Sequence, residues 1–228
     1  MQPIYFITGS DTGVGKTVLT ALWTAFLHGR GVAVAAFKPL CSGGRADALA
    51  LHTALGGGLT LDEINPWHFR APLAPVLAAR CEKKTVKLAQ VCAHIRTQSA
   101  KFDTVLVEGA GGLLSPLGED FDSRDLIAAL RAHPIIVAPN KLGVVNHVRL
   151  TLEALPKKQR SKAIVVLMSP AKPDAATSTN LKLLEEFVPA KKILPFPWLG
   201  QNFSTAQALK NPRVKRALQK LFKTVRQA

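Results

Sequence analysis

An α/β fold, with a mainly parallel sheet flanked by helices on both faces, is predicted by three observations. Short β-branched runs bounded by turn residues recur, helix-length segments separate them, and a glycine-rich loop stands between the first run and the first helical segment. Ile4–Thr8 is the first strand, stopping at Gly9, and Lys16–Arg30 is the helix behind the loop. Val32–Phe37 makes the second strand and Asp47–Leu55 the second helix. Further strands are Thr104–Glu108, Ile135–Ala138, Ala163–Leu167 and Lys192–Leu194; the helices between them are Lys87–Ser99, Ser123–Arg131, Val145–Leu155 and Ser178–Phe187. The segment Asn65–Pro75 holds Pro66, Pro72 and Pro75, and is expected to be a shaped loop over one edge of the site, too rigid for regular structure. After Asn211-Pro212, the residues Val214, Ala217, Leu218, Leu221, Phe222 and Val225 recur at helical spacing, which predicts a packed terminal helix with Pro212 in its first turn.

The chain has 228 residues, 47% of them hydrophobic, which excludes disorder and allows a sizeable core. No 20–50-residue repeat or low-complexity tract breaks it, and Gly56-Gly57-Gly58 reads as a loop, so residues 1–228 are expected to form one domain. Its apolar runs fall short of the ~20 residues of a membrane span, and Met1-Gln2-Pro3 runs into a strand with no basic leader, so no export signal is expected. Cys41, Cys81 and Cys92 show no C-x-x-C spacing, which argues against a disulfide framework or zinc site and for a cytoplasmic protein.

A formal charge of +15 would by itself point to a polyanionic partner. The excess is local: residues 157–228 hold 15 basic and 3 acidic side chains, against 15 and 12 in residues 1–156. A solvated charged face is the plainer account of that last third, so neither nucleic acid nor membrane is an expected partner.

The loop runs Gly9-Ser10-Asp11-Thr12-Gly13-Val14-Gly15-Lys16-Thr17 and leads into Val18. Strand, glycine loop and helix N-terminus in that order aim backbone N–H groups and a helix dipole at one point, which suits a phosphate. Lys16 can reach β- and γ-phosphates and Thr17 can ligate Mg²⁺. Five residues, rather than the usual four, separate Gly9 from Gly15, so the flanking strand and helix carry the assignment. Glu108 ends an apolar strand, as the magnesium-side carboxylate of such a site does, and Gly109-Ala110-Gly111-Gly112 beside it lets backbone approach a ligand; a salt-bridge role for Glu108 is the competing account. The second strand ends at Lys38, at the carboxyl edge of the sheet where open α/β sheets bind ligands. A second lysine beside a triphosphate suggests phosphoryl transfer. Asp47 could complete a metal shell with Thr17 and Glu108, or serve only as a carboxylate at a helix N-terminus. These features specify a single-domain P-loop NTPase-like fold binding nucleotide and magnesium.

The same residues resemble the dethiobiotin synthetase family over most of the chain. The likeness runs through residues 9–17, Lys38-Pro39 with Ser42-Gly43, Asp47–Leu51, and Asn65-Pro66 with Phe69 and Ala74-Pro75. It continues in Val107–Gly112, Leu142-Gly143 with Asn146-His147 and Leu150-Thr151, and Pro197-Trp198-Leu199. The resemblance implies an ATP-dependent ligase of biotin biosynthesis. Such an enzyme converts 7,8-diaminononanoate and CO₂ to dethiobiotin, ADP and phosphate through a carbamate and a carbamic-phosphoric anhydride. It implies Lys38 and Lys16 as catalytic residues, and magnesium held by Thr17, Asp47 and Glu108. ATP would contact Gly13, Val14, Gly15, Lys16, Thr17, Val18, Asp47, Glu108, Gly109, Ala110 and Gly111, with Pro197, Trp198 and Leu199 at the base. Thr12, Ser42 and Gly111 would meet the diamine. In a homodimer with substrate near the interface, Gly143, Val144 and Asn146 would meet its carboxylate, although the residues by themselves favour a helix cap at Asn146 with a packed His147.

One departure stands out. Relatives often carry an Asn at the end of the fifth strand to read adenine, where this chain has Leu167, so base selectivity is expected to be relaxed. A partitioning-type ATPase with a basic nucleic-acid or membrane surface is the competing function; its second loop lysine is missing here, where Ser10-Asp11 stands. Another carboxylase or amidoligase on the same fold is the nearer rival.

Overall fold

The computed structural model describes residues 2–200 and 203–227. Its main sheet has six strands in the order β2-β5-β1-β6-β7-β8, all parallel. They are β1 Ile4–Gly9, β2 Val34–Phe37, β5 Thr104–Glu108, β6 His133–Pro139, β7 Ile164–Met168 and β8 Ile193–Phe196. The inner strands are apolar at nearly every position because both faces are covered, as a parallel sheet requires.

One face carries α1 Lys16–His28, α10 Thr205–Lys210 and α11 Pro212–Val225; further along, α7 Val144–Ala154 and α9 Ala175–Glu185 cover the opposite face of β6 to β8. Alternation along a strand divides the side chains between the two. In β7, Ile164 and Val166 join the main core, whereas Val165 and Leu167 join a second cluster with Val144, Val148 and Leu184. The terminal stripe packs as expected: Val214, Leu218, Leu221 and Val225 are buried, and Phe222 meets Phe26 edge-on at 6.4 Å. Asn211 caps that helix through Arg213 N at 2.9 Å.

The other helices are α2 Ala46–Leu55, α3 Leu61–Ile64, α4 Pro75–Cys81, α5 Leu88–Ser99, α6 Ser123–Leu130 and α8 Lys157–Arg160. The expectation of irregular structure over Asn65–Pro75 is corrected. Trp67–Phe69 forms β4, which pairs in parallel with β3, Leu40–Ser42, and Pro75 opens α4. Pro66 and Pro72 leave residues 67–69 with their N–H groups free to pair, and Pro75 occupies a first-turn position where no N–H is needed. All three cysteines are free thiols. No helix among the described residues is long and apolar enough to cross a membrane.

Candidate active site

β1 lies inside the sheet between β5 and β6, so the loop after it opens at the carboxyl edge where the strand order changes direction. Gly15, with φ 98°, is the left-handed residue that turns the loop into α1. A Cβ there would stand 3.1 Å from Cε of Met168, so a side chain would have to displace that methyl group as well as strain the backbone. Lys16 folds back over the loop, its Nζ donating to Asp11 O at 2.9 Å. Burial, and then the neighbouring Lys38 charge, push its ammonium down to about 8, against the pull of Glu108, Asp47 and Asp11.

Lys38 is the centre of the arrangement. Its Nζ donates to Glu108 Oε1 at 2.7 Å, to Gly109 O at 3.0 Å and meets Asp47 Oδ2 at 2.9 Å, using all three ammonium donors. Burial works against its charge, but Glu108 and Asp47 outweigh it and hold the ammonium above its ordinary range. Burial likewise raises the Asp47 carboxyl, and Lys38 with Thr17 more than reverses this, leaving it below its usual value. The Thr17 hydroxyl donates to the same Glu108 Oε1 at 2.7 Å.

The other oxygen, Glu108 Oε2, is buried without a hydrogen-bond partner. An orphaned carboxylate oxygen beside a hydroxyl and a half-exposed carboxylate is a fitting donor set for Mg²⁺. Among the described residues no cluster of three His, Cys, Asp or Glu exists to cage a metal. Two carboxylates and a hydroxyl leave the remaining ligand positions to phosphate oxygens and water, the usual habit of Mg²⁺ in nucleotide sites.

Lys16, Thr17, Lys38 and Asp47 border a cavity of about 490 Å³ that also takes in Thr12, Gly13, Gly15, Val18, Ser42, Ala110 and Gly111, while Glu108 lies buried behind them. Val14 is buried beneath the loop, and Glu108 and Gly109 hold Lys38 from below. Ser42 Oγ donates to Leu73 O at 2.5 Å, which anchors the β3 edge against the proline segment.

Other expected residues stand apart from this cavity. Gly143, Val144 and Asn146 do not line it; Gly143, at φ 89°, opens α7 without a side-chain cap, and Val144 is spent in the second core cluster. Pro197, Trp198 and Leu199 follow β8 outside the cavity, with Trp198 about half exposed.

The position expected to read the base is corrected. Leu167 is fully buried on the α7 and α9 face, and its neighbour Met168 is the side chain that reaches the phosphate loop. The two-residue period of a strand places consecutive residues on opposite faces, so only one of them can meet the loop.

Asn65 was not among the expected site residues. Its Nδ2 donates to Lys38 O at 2.7 Å and its Oδ1 accepts from Arg45 Nε at 3.1 Å, which fixes the backbone that presents Lys38. The Asn65-Pro66 pair was visible in the sequence, but its tie to Lys38 spans 27 residues and has no local signature. Cys41, Gly43, Gly44 and Ala46 also line the cavity, brought there by the β3 edge.

A family model described as an AAA domain matches residues 4–202. The ATP-dependent dethiobiotin synthetase of Anaeromyxobacter dehalogenans is 38% identical over 209 residues, covering 90% of this chain and 94% of its own. That of Bacillus licheniformis is 38% identical over 199 residues, covering 84% and 85%. Among solved structures, the MinD cell division protein of Aquifex aeolicus superposes with a TM-score of 0.60 at 14% identity, over 99% of this chain and 98% of that one. At that identity the likeness speaks for the fold alone.

Proposed function

The chain belongs to the ATP-dependent dethiobiotin synthetase family, ligases of biotin biosynthesis, and from that premise we propose how its residues divide the work of joining 7,8-diaminononanoate and CO₂ at the expense of ATP. One observation carries the assignment: Lys38 and Thr17 converge on a single buried oxygen of Glu108 at the mouth of the phosphate loop. A mobile surface lysine would not be held in this way.

The loop N–H groups and Lys16 cradle the triphosphate, and the α1 dipole adds to their pull. Thr17, Asp47 and Glu108 hold Mg²⁺, which when bound screens the phosphate charge. An amine of the substrate captures CO₂ as a carbamate, placed between the Ser42 edge and Gly111. The carbamate oxygen attacks the γ-phosphorus in line while the bond to ADP breaks. Lys38 stands between two anions that would otherwise repel, and stabilises the charge spread over the transferring phosphoryl group. The second amine then attacks the carbamoyl carbon, the cyclic urea closes, and phosphate leaves.

The carboxylate of the substrate falls to the N-terminus of α7, where Gly143, Val144 and Asn146 offer backbone N–H groups. Since these residues do not line the cavity of their own chain, they are assigned to the site of a partner in a homodimer. Leu142 and Leu150, 83% and 61% exposed on either side of this turn, supply the apolar contact such a pairing requires. Pro197, Trp198 and Leu199 are assigned to the base.

The test is ATP hydrolysis with and without 7,8-diaminononanoate and bicarbonate, with the product mass recorded. Phosphate release that ignores the diamine, or no cyclic urea, overturns the proposal.

A further inference from the structure

The last acidic residue of the chain is Glu186; nine basic residues follow it. Helix α11 concentrates them. Its buried residues Val214, Leu218, Leu221 and Val225 take one face, and Arg213, Lys215, Arg216, Lys220 and Lys223 stand exposed on the other. None of the five has an ion-pair partner among the described residues. Arg226 is different, since it lies over the Phe222 ring at 5.3 Å and has a packing role.

This arrangement works against the stability of the helix. Arg213 and Arg216, Arg216 and Lys220, and Lys220 and Lys223 are like charges three or four residues apart, and Arg213 sits at the positive end of the helix dipole. Solubility does not require it, because a solvated face ordinarily mixes the two signs. Arg213, Arg216, Lys220 and Lys223 form one line over ten residues, ~15 Å long. At the amino end of that line, Arg213, Arg216 and Lys220 border an open cavity of about 360 Å³ with Ser169, Phe196 and Pro197.

We propose that the outer face of α11 is a docking surface for the phosphate backbone of a nucleic acid. The row of unpaired cations complements a row of phosphates at regular spacing. A lipid surface is the weaker match, because an interfacial helix buries its apolar face in the bilayer and this one has spent that face on the core. A protein partner would want a broad apolar anchor, and the outward side chains of α11 offer none, the apolar Phe196 and Pro197 being confined to the small cavity at one end of the row. None of these cations lines the cavity around Lys38 and the phosphate loop, although the amino end of the row borders Pro197, one of the residues assigned to the base.

The test is fluorescence anisotropy of the full chain with labelled 20-nucleotide single-stranded and duplex DNA between 50 and 400 mM salt, beside flotation with phosphatidylserine vesicles. With about four phosphates engaged, log K should fall against log salt with a slope of about −3 to −4, or roughly 100-fold from 50 to 200 mM. The variant Arg213→Gln, Arg216→Gln, Lys220→Gln, Lys223→Gln should lose at least about 30-fold in affinity and most of that slope, with dethiobiotin formation at saturating ATP unchanged. A second variant with the same charge loss elsewhere, Lys157→Gln, Lys158→Gln, Lys182→Gln, Lys191→Gln, should keep its affinity within about threefold. No binding at 50 mM salt overturns the proposal. So does equal loss in both variants, which would mark a general effect of net charge, or capture by vesicles without binding to either DNA.

Discussion

Lys38 and Glu108, seventy residues apart, meet at 2.7 Å with neither side chain more than 4% exposed. The pair joins the ends of two neighbouring strands, β2 and β5, whose parallel register puts both residues at the carboxyl edge. Asp47 and Gly109 complete the shell around the ammonium, so the lysine is held in place before any ligand arrives.

Lys38→Ala is expected to lower turnover by at least about 10²–10³-fold while ATP binding stays measurable by titration calorimetry. The same change strands the buried Glu108 charge, so the variant should also be about 3–5 kcal/mol less stable in urea unfolding. Turnover near the wild-type value would remove Lys38 from the chemistry.

Glu108→Gln leaves the shape of the pocket nearly unchanged but takes a charge from the metal set. The Mg²⁺ concentration for half-maximal velocity should rise by about tenfold or more, and EDTA should stop turnover in both proteins. An unaltered magnesium requirement would speak against Thr17, Asp47 and Glu108 as the ligands.

Neither Leu167 nor Met168 carries an amide able to read adenine. ATP, GTP and CTP at matched subsaturating concentrations should therefore support dethiobiotin formation within about tenfold of one another. A preference for ATP beyond about 100-fold would show that backbone groups or the Pro197–Leu199 segment select the base.

Leu142→Glu combined with Leu150→Glu places charges on the α7 surface assigned to the partner. Sedimentation should then give a mass near the 24.5 kDa of one chain, with diamine-dependent turnover lost. A dimer that persists in the double variant would place the interface elsewhere.

His133 connects folding to pH. Its Nδ1 is buried without a partner, and burial, then Lys162, hold the imidazole below its ordinary value of 6.5. The unfolded chain takes up a proton that the folded chain resists, so this contribution is full above about pH 6.5 and is lost progressively as the pH falls from there toward the lower value of the folded chain. Thermal unfolding midpoints should fall between pH 7.5 and 5.5, and His133→Phe should make that fall shallower. Equal slopes in the two proteins would leave His133 without this role.

Much of the fold was legible because its signals are local. The six strands of the main sheet, the helix after the phosphate loop and the terminal helix each announce themselves by apolar period and bounding turns, and the structure has them within a few residues. The pairing of β3 with β4 was not legible, since three-residue strands carry no period and the prolines around them obscured the pattern. Leu167 shows how fine the remaining gap is. Its place at the end of a strand could be read, but whether it or Met168 faces the loop depends on which face of β7 meets α1.

Taken alone, the amino-acid sequence determined the βα alternation, the phosphate loop and the residue types that nucleotide chemistry needs, because each of these is written in contiguous residues. Only the tertiary structure decided that Thr17, Lys38, Asp47 and Glu108 share one cluster, that Asn65 holds the Lys38 backbone, and that Arg213, Lys215, Arg216, Lys220 and Lys223 stand on one face of α11 with no ion-pair partner among the described residues. Those facts rest on strand order, register and packing between segments far apart in the chain, and no local pattern encodes them.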